Sequence, residues 1–158
     1  MLIFKKTLQK EEQMKLPEYI SKNEVSRVCK DLKIRDWTKL KETKVSPKEA
    51  KIILAEVNSE KMKIDPEEFR KGLEVELEHG VRFNDANVTN NHPVITGMIV
   101  IAHLKESLDY YKLLDVAELE GDLLKAIAAG NMAKVKKEYK KLAGAKIALA
   151  KAEAAQVK

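Results

Sequence analysis

The sequence is poor in the residues that build β-sheets, tight turns and disulfide frameworks. In 158 residues there are six Gly and four Pro, and aromatic residues make up 5%. This composition argues against a β-sandwich, a barrel or a multi-loop enzyme, because those folds depend on strand formers and turn formers. The single cysteine, Cys29, excludes an intramolecular disulfide framework and a zinc site built from several thiolates. No apolar run reaches the roughly 18 to 20 residues that span a bilayer, so we expect a soluble intracellular helical protein that does not enter a membrane.

Charge and apolar residues are plentiful but unevenly placed. Hydrophobic residues make up 44% and charged residues 35%, enough for a core with a densely charged surface. The net charge of +5 divides into +6 for residues 1–63, −7 for residues 64–130 and +6 for residues 131–158. All three histidines lie in the acidic centre. This distribution predicts partner contacts at the basic ends and a polar site in the middle.

Helix boundaries are marked by capping residues. Four pairs fit a capping box, in which the first side chain accepts from the N3 amide and an acidic residue reaches back: Ser21 with Glu24, Ser46 with Glu49, Asp65 with Glu68, and Asp115 with Glu118. Pro47 and Pro66 follow two of these caps at N1, and His92 before Pro93 is also typical of a helix start. Gly80 and Gly130 stand where helix ends favour a left-handed residue.

These signals and the apolar periodicity predict an all-α fold. We expect a small orthogonal or antiparallel bundle of about six helices with a long C-terminal helix. The predicted helices cover residues 22–33, 47–57, 66–79, 93–114, 116–129 and 131–155.

Two Glu/His pairs suggest a polar or metal-binding site. Glu76 and His79 lie three residues apart on one helical face, and so do His103 and Glu106 on the next long helix. Such pairs on facing helices build carboxylate-bridged metal sites in bundles, so these four side chains are candidate ligands for one divalent metal ion. The same spacing also arises from dipole compensation and surface pairing at helix ends. In addition, His103 lies in an apolar run that would suit a core histidine hydrogen-bonded to a Tyr or a carboxylate.

Nucleophilic catalysis finds little support in the sequence. Cys29 lies on the apolar stripe of a helix, which predicts an inert buried thiol. There is no Gly-x-Ser-x-Gly motif and no glycine-rich phosphate loop. The Asn-rich segment 84–91 is interpreted as a turn, because it lacks the periodic carboxylates of a calcium loop.

A lysine row on the last helix permits a nucleic-acid reading. Lys134, Lys137 and Lys141 share one face and could neutralise phosphates without sequence specificity. Few Arg and no interleaved aromatic residues accompany them, so a solvated amphipathic helix is the favoured interpretation.

Residues 69–111 carry two motifs that resemble those of a known family. They are Phe-Arg-x-Gly-Leu-x-Val-Glu-Leu-Glu-His-Gly at residues 69–80 and Ala-His-Leu-x-Glu-x-x-Asp-Tyr-Tyr at residues 102–111. The sequence resembles an uncharacterised small helical domain family of bacteria, archaea and their viruses. The resemblance implies one polar constellation, supported by Tyr110 and made of Glu76, Glu78, His79, His103, Glu106 and Asp109. It also implies a helical core domain at residues 46–115, between a basic N-terminal extension (1–45) and Lys/Ala-rich C-terminal helices (116–158).

Three functional hypotheses follow. The first is a non-enzymatic structural or interaction protein that packs with protein partners or copies of itself into a larger assembly, such as a virion or a nucleoprotein particle. Its basic helices would contact the partners. The second is a small metalloprotein or metal-dependent hydrolase that uses the Glu/His site. The third is sequence-independent nucleic-acid binding through the Lys-rich helix.

Overall fold

The structure, a computed structural model, describes residue 17 and residues 19–157. These residues form six α-helices and no strand. The helices are α1 (Lys22–Asp31), α2 (Pro47–Val57), α3 (Pro66–Arg82), α4 (Pro93–Glu106), α5 (Tyr110–Ala128) and α6 (Met132–Gln156). The predicted all-α bundle with its longest helix last is confirmed. Residues 1–16 and 18 of the predicted N-terminal extension lie outside the described residues.

Three of the four predicted caps begin helices. Ser46 and Glu49 form a complete capping box at the start of α2, and the Ser21 side chain accepts from the backbone N–H of Glu24. Asp65 caps α3 but accepts from the N–H of Glu67, one residue earlier than predicted. The helix start predicted at Asp115 is wrong: this residue lies inside α5, which begins at Tyr110.

The predicted helix 93–114 is two helices. The chain leaves the helical conformation at Ser107 (φ −156°, ψ 131°), and α5 begins three residues later. The Ser107 side chain accepts from the N–H of Asp109, and the Ser107 carbonyl accepts from the N–H of Tyr110. A serine that offers the backbone local hydrogen bonds of this kind competes with helix continuation. The break turns α5 back over α3 and α4.

The two glycines predicted at helix ends differ. Gly130 has φ +63° and follows α5, and the amide of Asn131 bonds back to the Ala126 carbonyl, as in a Schellman cap. Gly80 lies inside α3, which continues to Arg82, so the predicted helix end there is wrong. It is needed for space instead: a Cβ at Gly80 would overlap the Asn91 Oδ1 atom.

One hydrophobic core joins α1 to α4 with the start of α5. It includes Val25, Trp37, Phe69, Val100 and Tyr111, each at most 5% exposed. The predicted boundaries at 45 and 115 therefore do not coincide with gaps in the packing: α1 and the 3-10 helix Trp37–Lys39 belong to the core, and α5 runs through residue 115.

A buried carboxylate lies at one end of this core. Glu49 is 5% exposed and accepts from Arg35 Nε at 2.8 Å, from the Ser46 hydroxyl at 2.8 Å and from the Trp37 indole N–H at 3.4 Å. Burial raises the pKa of Glu49, but the hydrogen bonds from Arg35 and Ser46 outweigh it and hold the pKa at about 2. This carboxylate joins the segment at residues 35–37 to the start of α2.

Helices α5 and α6 form an antiparallel hairpin, which we call the arm. Apart from the first turns of α5, its apolar seam is separate from the core: the core extends no further than Leu114, whereas Ala126 and Leu142 are buried between the two helices. At the base of the arm, the Gln156 side chain donates to Asp109. In the described part of the chain, no helix is long and apolar enough to cross a membrane.

Candidate functional site

Three helices bring polar side chains together where α5 folds back over α3. Glu76 lies in the middle of α3, His103 in the last turn of α4, and Tyr110 and Tyr111 in the first turn of α5. The break between α4 and α5 at Ser107 brings the two tyrosines back beside His103.

The Glu76 carboxylate is the centre of this group. The Tyr111 hydroxyl donates to Glu76 Oε1 at 2.9 Å, and His103 Nε2 lies 3.6 Å from the same oxygen. The His103 ring stacks on Tyr110 with ring centroids 4.0 Å apart and meets Tyr111 edge-on at 6.1 Å. Residues from all three helices thus fix one carboxylate and one imidazole.

Burial keeps the Tyr111 phenol protonated. The pKa of Tyr111 is raised by burial first and by the nearby Glu76 carboxylate second. Tyr111 therefore acts as a hydrogen-bond donor to Glu76 at neutral pH, and not as a base. The Nδ1 atom of His103 is buried and has no hydrogen-bond partner among the described residues.

A cavity of about 350 Å³ opens beside this group. Its walls include five of the residues that the sequence singled out, namely Glu76, Glu78, His79, His103 and Tyr110. Arg82 and Glu118 also line it. The pKa of Glu118 is raised by burial and by the nearby carboxylates, of which Glu78 contributes most. The acidic centre expected from the charge distribution therefore surrounds a cavity.

Two predicted members of the site lie elsewhere. Glu106 is exposed at the end of α4 and is not part of the cavity wall. Asp109 is buried, pairs with Lys112 at 3.3 Å and accepts from Gln156. The break at Ser107 takes Asp109 off the helix that carries His103, whereas Glu106 stays on that helix but is directed to solvent.

The candidate metal ligands are not gathered into one cluster in the part of the chain that is described. No group of three or more His, Cys, Asp or Glu side chains there is arranged to hold a metal ion. Glu76 is instead engaged by Tyr111, and His79 is exposed. Divalent metal binding by Glu76, His79, His103 and Glu106 stays a prediction from spacing alone.

Sequence reasoning missed Tyr111 and Glu118 as site residues. The signal was present, because Tyr111, Leu114 and Glu118 are spaced i, i+3, i+7 and share one face once the helix begins at Tyr110.

Three other predictions are confirmed. Cys29 is 1% exposed and burial raises the pKa of its thiol, and His92 caps α4 by accepting from the N–H of Ile95. The Asn-rich segment is a turn in which the Asn87 side chain donates to the Gly80 carbonyl.

The lysine row lies on α6. Lys134, Lys137 and Lys141 are all exposed, and Lys141 lies 3.0 Å from the carboxylate of the buried Glu138. Nucleic-acid binding by this row stays a prediction.

Comparison with known proteins identifies the family. A family model described as "Protein of unknown function (DUF5661)" matches residues 25–120. No curated protein and no solved structure matches the chain. The matched range runs from α1 into α5 and contains the core and every wall residue of the cavity. On this match, which covers more than half of its length, the chain belongs to the DUF5661 family.

Proposed function

We propose that this protein is a structural or interaction protein that packs into a larger assembly, and that the arm is its contact surface. The observation that carries the proposal is the exposure of large apolar side chains along the arm. Leu113, Leu124, Ile127, Met132, Tyr139 and Ile147 are all between 44% and 67% exposed. Single exposed apolar residues are ordinary, but a series of them on one element marks an interaction site.

The slender build of the arm supports the same function. A two-helix hairpin buries apolar surface along one seam only, and isolated helix pairs gain little stability from propensity alone. The arm lies outside the core, and α6 packs chiefly against α5. A partner that covered the exposed side chains would supply the missing burial.

The arm also carries complementary charge. Within the bounds of α5 there are four acidic and two basic residues, whereas α6 has seven lysines and two glutamates. A surface of this kind offers both signs to a partner, which favours specific docking. The sequence resemblance described above makes a virion or a nucleoprotein particle the first assembly to examine.

Sedimentation of the native protein through a density gradient tests the proposal. We expect it to travel in a particle far heavier than its 17.9 kDa chain, and we expect Leu124→Glu to release it. Met98→Glu is the matched control, because Met98 is an apolar residue of α4 with 59% exposure that lies outside the arm. A wild-type protein that sediments only as a single chain would contradict the proposal.

A further inference from the structure

All but one of the large exposed apolar side chains of the arm belong to one of its faces; the exception is Ile147, which follows the seam residue Ala145 by two positions. The seam between the helices contains Val116, Leu119, Leu123 and Ala126 of α5 and Val135, Leu142, Ala145 and Leu149 of α6, all buried or half-buried. Leu124, Ile127 and Tyr139 each follow a seam position by one residue, counting Glu138 as part of the seam. One residue turns the side chain by about 100°. Because the helices are antiparallel, these turns have opposite sense and bring both stripes to the same side.

An ion pair confirms this geometry. Glu120 and Lys146 each follow a seam residue by one position, and their charged atoms lie 2.7 Å apart across the hairpin. We call this side the apolar face. It consists of Leu113, Ala117, Glu120, Leu124 and Ile127 of α5 and Met132, Tyr139, Ala143 and Lys146 of α6.

The core lies against the other side of the arm. A cleft of about 350 Å³ between them is lined by Glu74 and Glu78 of α3, by Asp115 and Glu118 of α5 and by Ala148 of α6. Asp115, Glu118 and Ala148 each precede a seam residue, so they face away from the apolar face. A partner can therefore cover the apolar face without meeting the core.

We infer that the occupant of the apolar face is a second copy of this chain, and that the two arms form a four-helix bundle; this inference rests on the proposed function. In a two-fold dimer with both arms pointing in the same direction, α5 of each copy lies over α6 of the other. Neighbouring helices are then antiparallel throughout, as in an up-and-down bundle.

Charge selects this arrangement over its alternative. With α5 over the partner's α6, Glu120 and Lys146 of the two copies alternate in sign around the bundle at one level. With the arms antiparallel, α5 lies over α5 and α6 over α6. The lysine-rich α6 helices, seven Lys against two Glu each, then repel one another.

The size of the face predicts a reversible dimer. It runs from Leu113 to Ile127 on α5 and from Met132 to Lys146 on α6, or about 20 Å at 1.5 Å per residue. Two helices side by side, each about 10 Å wide, give about 500 Å² per copy. The resulting total of about 1,000 Å² is at the lower limit of specific interfaces.

Analytical ultracentrifugation of the purified full chain, from micromolar to millimolar concentration, tests the inference. We expect the mass to rise from 17.9 kDa to twice that value. Leu124→Glu should weaken the dimer by about tenfold or more, because it buries a carboxylate within the interface. The control Met98→Glu should leave the dissociation constant unchanged.

Charge reversal tests the alternating ring. Glu120→Lys and Lys146→Glu should each weaken the dimer, because each places four like charges at one level, and the double variant should restore it. Thermal unfolding at low concentration separates these effects from the loss of the pair within one copy.

Spin labels on Ala129→Cys, at the tip of the arm, test the direction. Cys29 is buried, so the label attaches to the introduced thiol. We expect a label separation of about 20 Å, the width of a bundle, whereas antiparallel arms would place the tips about one arm length, about 30 Å or more, apart.

The outcomes separate the two claims. A chain that stays monomeric at every concentration, or a dimer that Leu124→Glu leaves intact, overturns the self-association inference. Neither result touches the gradient experiment, in which the proposed function fails only if the native protein is found in no larger particle.

Discussion

The core and the arm are both helical, but they differ in how completely their apolar side chains are enclosed. In the core, side chains as large as Trp37 and Phe69 are fully enclosed by four helices and the start of a fifth. In the arm beyond Leu114, only Ala126 and Leu142 among the apolar residues are buried, and larger side chains are exposed. The comparison shows that a small helical protein can combine a part with an enclosed apolar core and a part whose large apolar side chains stay exposed.

The largest expected effect distinguishes the two parts directly. Phe69→Ala should cost about 3–5 kcal/mol and unfold the whole core, because it leaves a cavity among large side chains. Leu142→Ala should cost about 2–3 kcal/mol and open the arm alone. Amide hydrogen exchange measures both. Loss of protection in α1–α4 of Leu142→Ala would show that the two parts are one cooperative unit.

The acid sensitivity of the core is the next effect. The folded-state pKa of Glu49, about 2, lies below the ordinary value of 4.5 for a glutamate. The stability that this group contributes is therefore complete above about pH 5 and is lost as the pH falls towards 2. We expect a loss of about 2–3 kcal/mol over that range in urea titrations, and a much smaller loss in Glu49→Gln.

Glu67→Gln is the control for this measurement. Arg70 lowers the pKa of Glu67 through a hydrogen bond, but Glu67 is exposed, so its replacement should leave the acid sensitivity nearly unchanged. Equal effects of the two substitutions would mean that the buried position of Glu49 does not matter.

A smaller effect is expected where the core meets the arm. Tyr111→Phe removes the hydroxyl that donates to Glu76 and should cost about 1–2 kcal/mol. Tyr110→Phe keeps the ring that stacks on His103 and should cost less than about 0.5 kcal/mol. Denaturant titration compares the two. The reverse order would show that the stacked tyrosine, and not the hydrogen-bonded one, holds the site together.

The smallest effect concerns His79. Its side chain is exposed, so His79→Ala should change the free energy of unfolding by less than about 0.5 kcal/mol. The metal hypothesis predicts a large effect of the same substitution on metal content. Elemental analysis of protein purified without chelator should then find a transition metal that His79→Ala removes. Metal at one equivalent per chain in the wild type and none in the variant would favour a metalloprotein.

Local signals were enough to predict most helix bounds. Ser46, Pro47 and Glu49 define the start of α2, and Gly130 the end of α5, because caps act through neighbouring backbone groups that the sequence shows directly. The start of α4, with its apolar run, and the long Ala/Lys-rich α6 could also be predicted from the sequence.

The break at Ser107 could not be predicted from the sequence, and the predicted membership of the candidate site was therefore partly wrong. Leu104, Ser107 and Tyr111 continue a helical pattern, so periodicity alone joins α4 to α5. The hydrogen bonds at Ser107 allow the break, and the break places Tyr111 in the core, a contact that apolar periodicity does not show. The predicted helix end at Gly80 is wrong for a similar reason. The side chain that leaves no room for a Cβ at Gly80 is Asn91, which lies eleven residues further along the chain.

Trp37 allows unfolding of the core to be followed separately from unfolding of the arm by spectroscopy. It is the only tryptophan of the chain, it is fully enclosed, and its indole N–H donates to Glu49. Intrinsic fluorescence excited at the tryptophan band therefore reports on the core alone. Circular dichroism reports on every helix, and α5 and α6 supply 19 and 25 of the helical residues. When the two signals are followed together during heating, a fall in helicity before the fluorescence changes would mark the arm melting from an intact core.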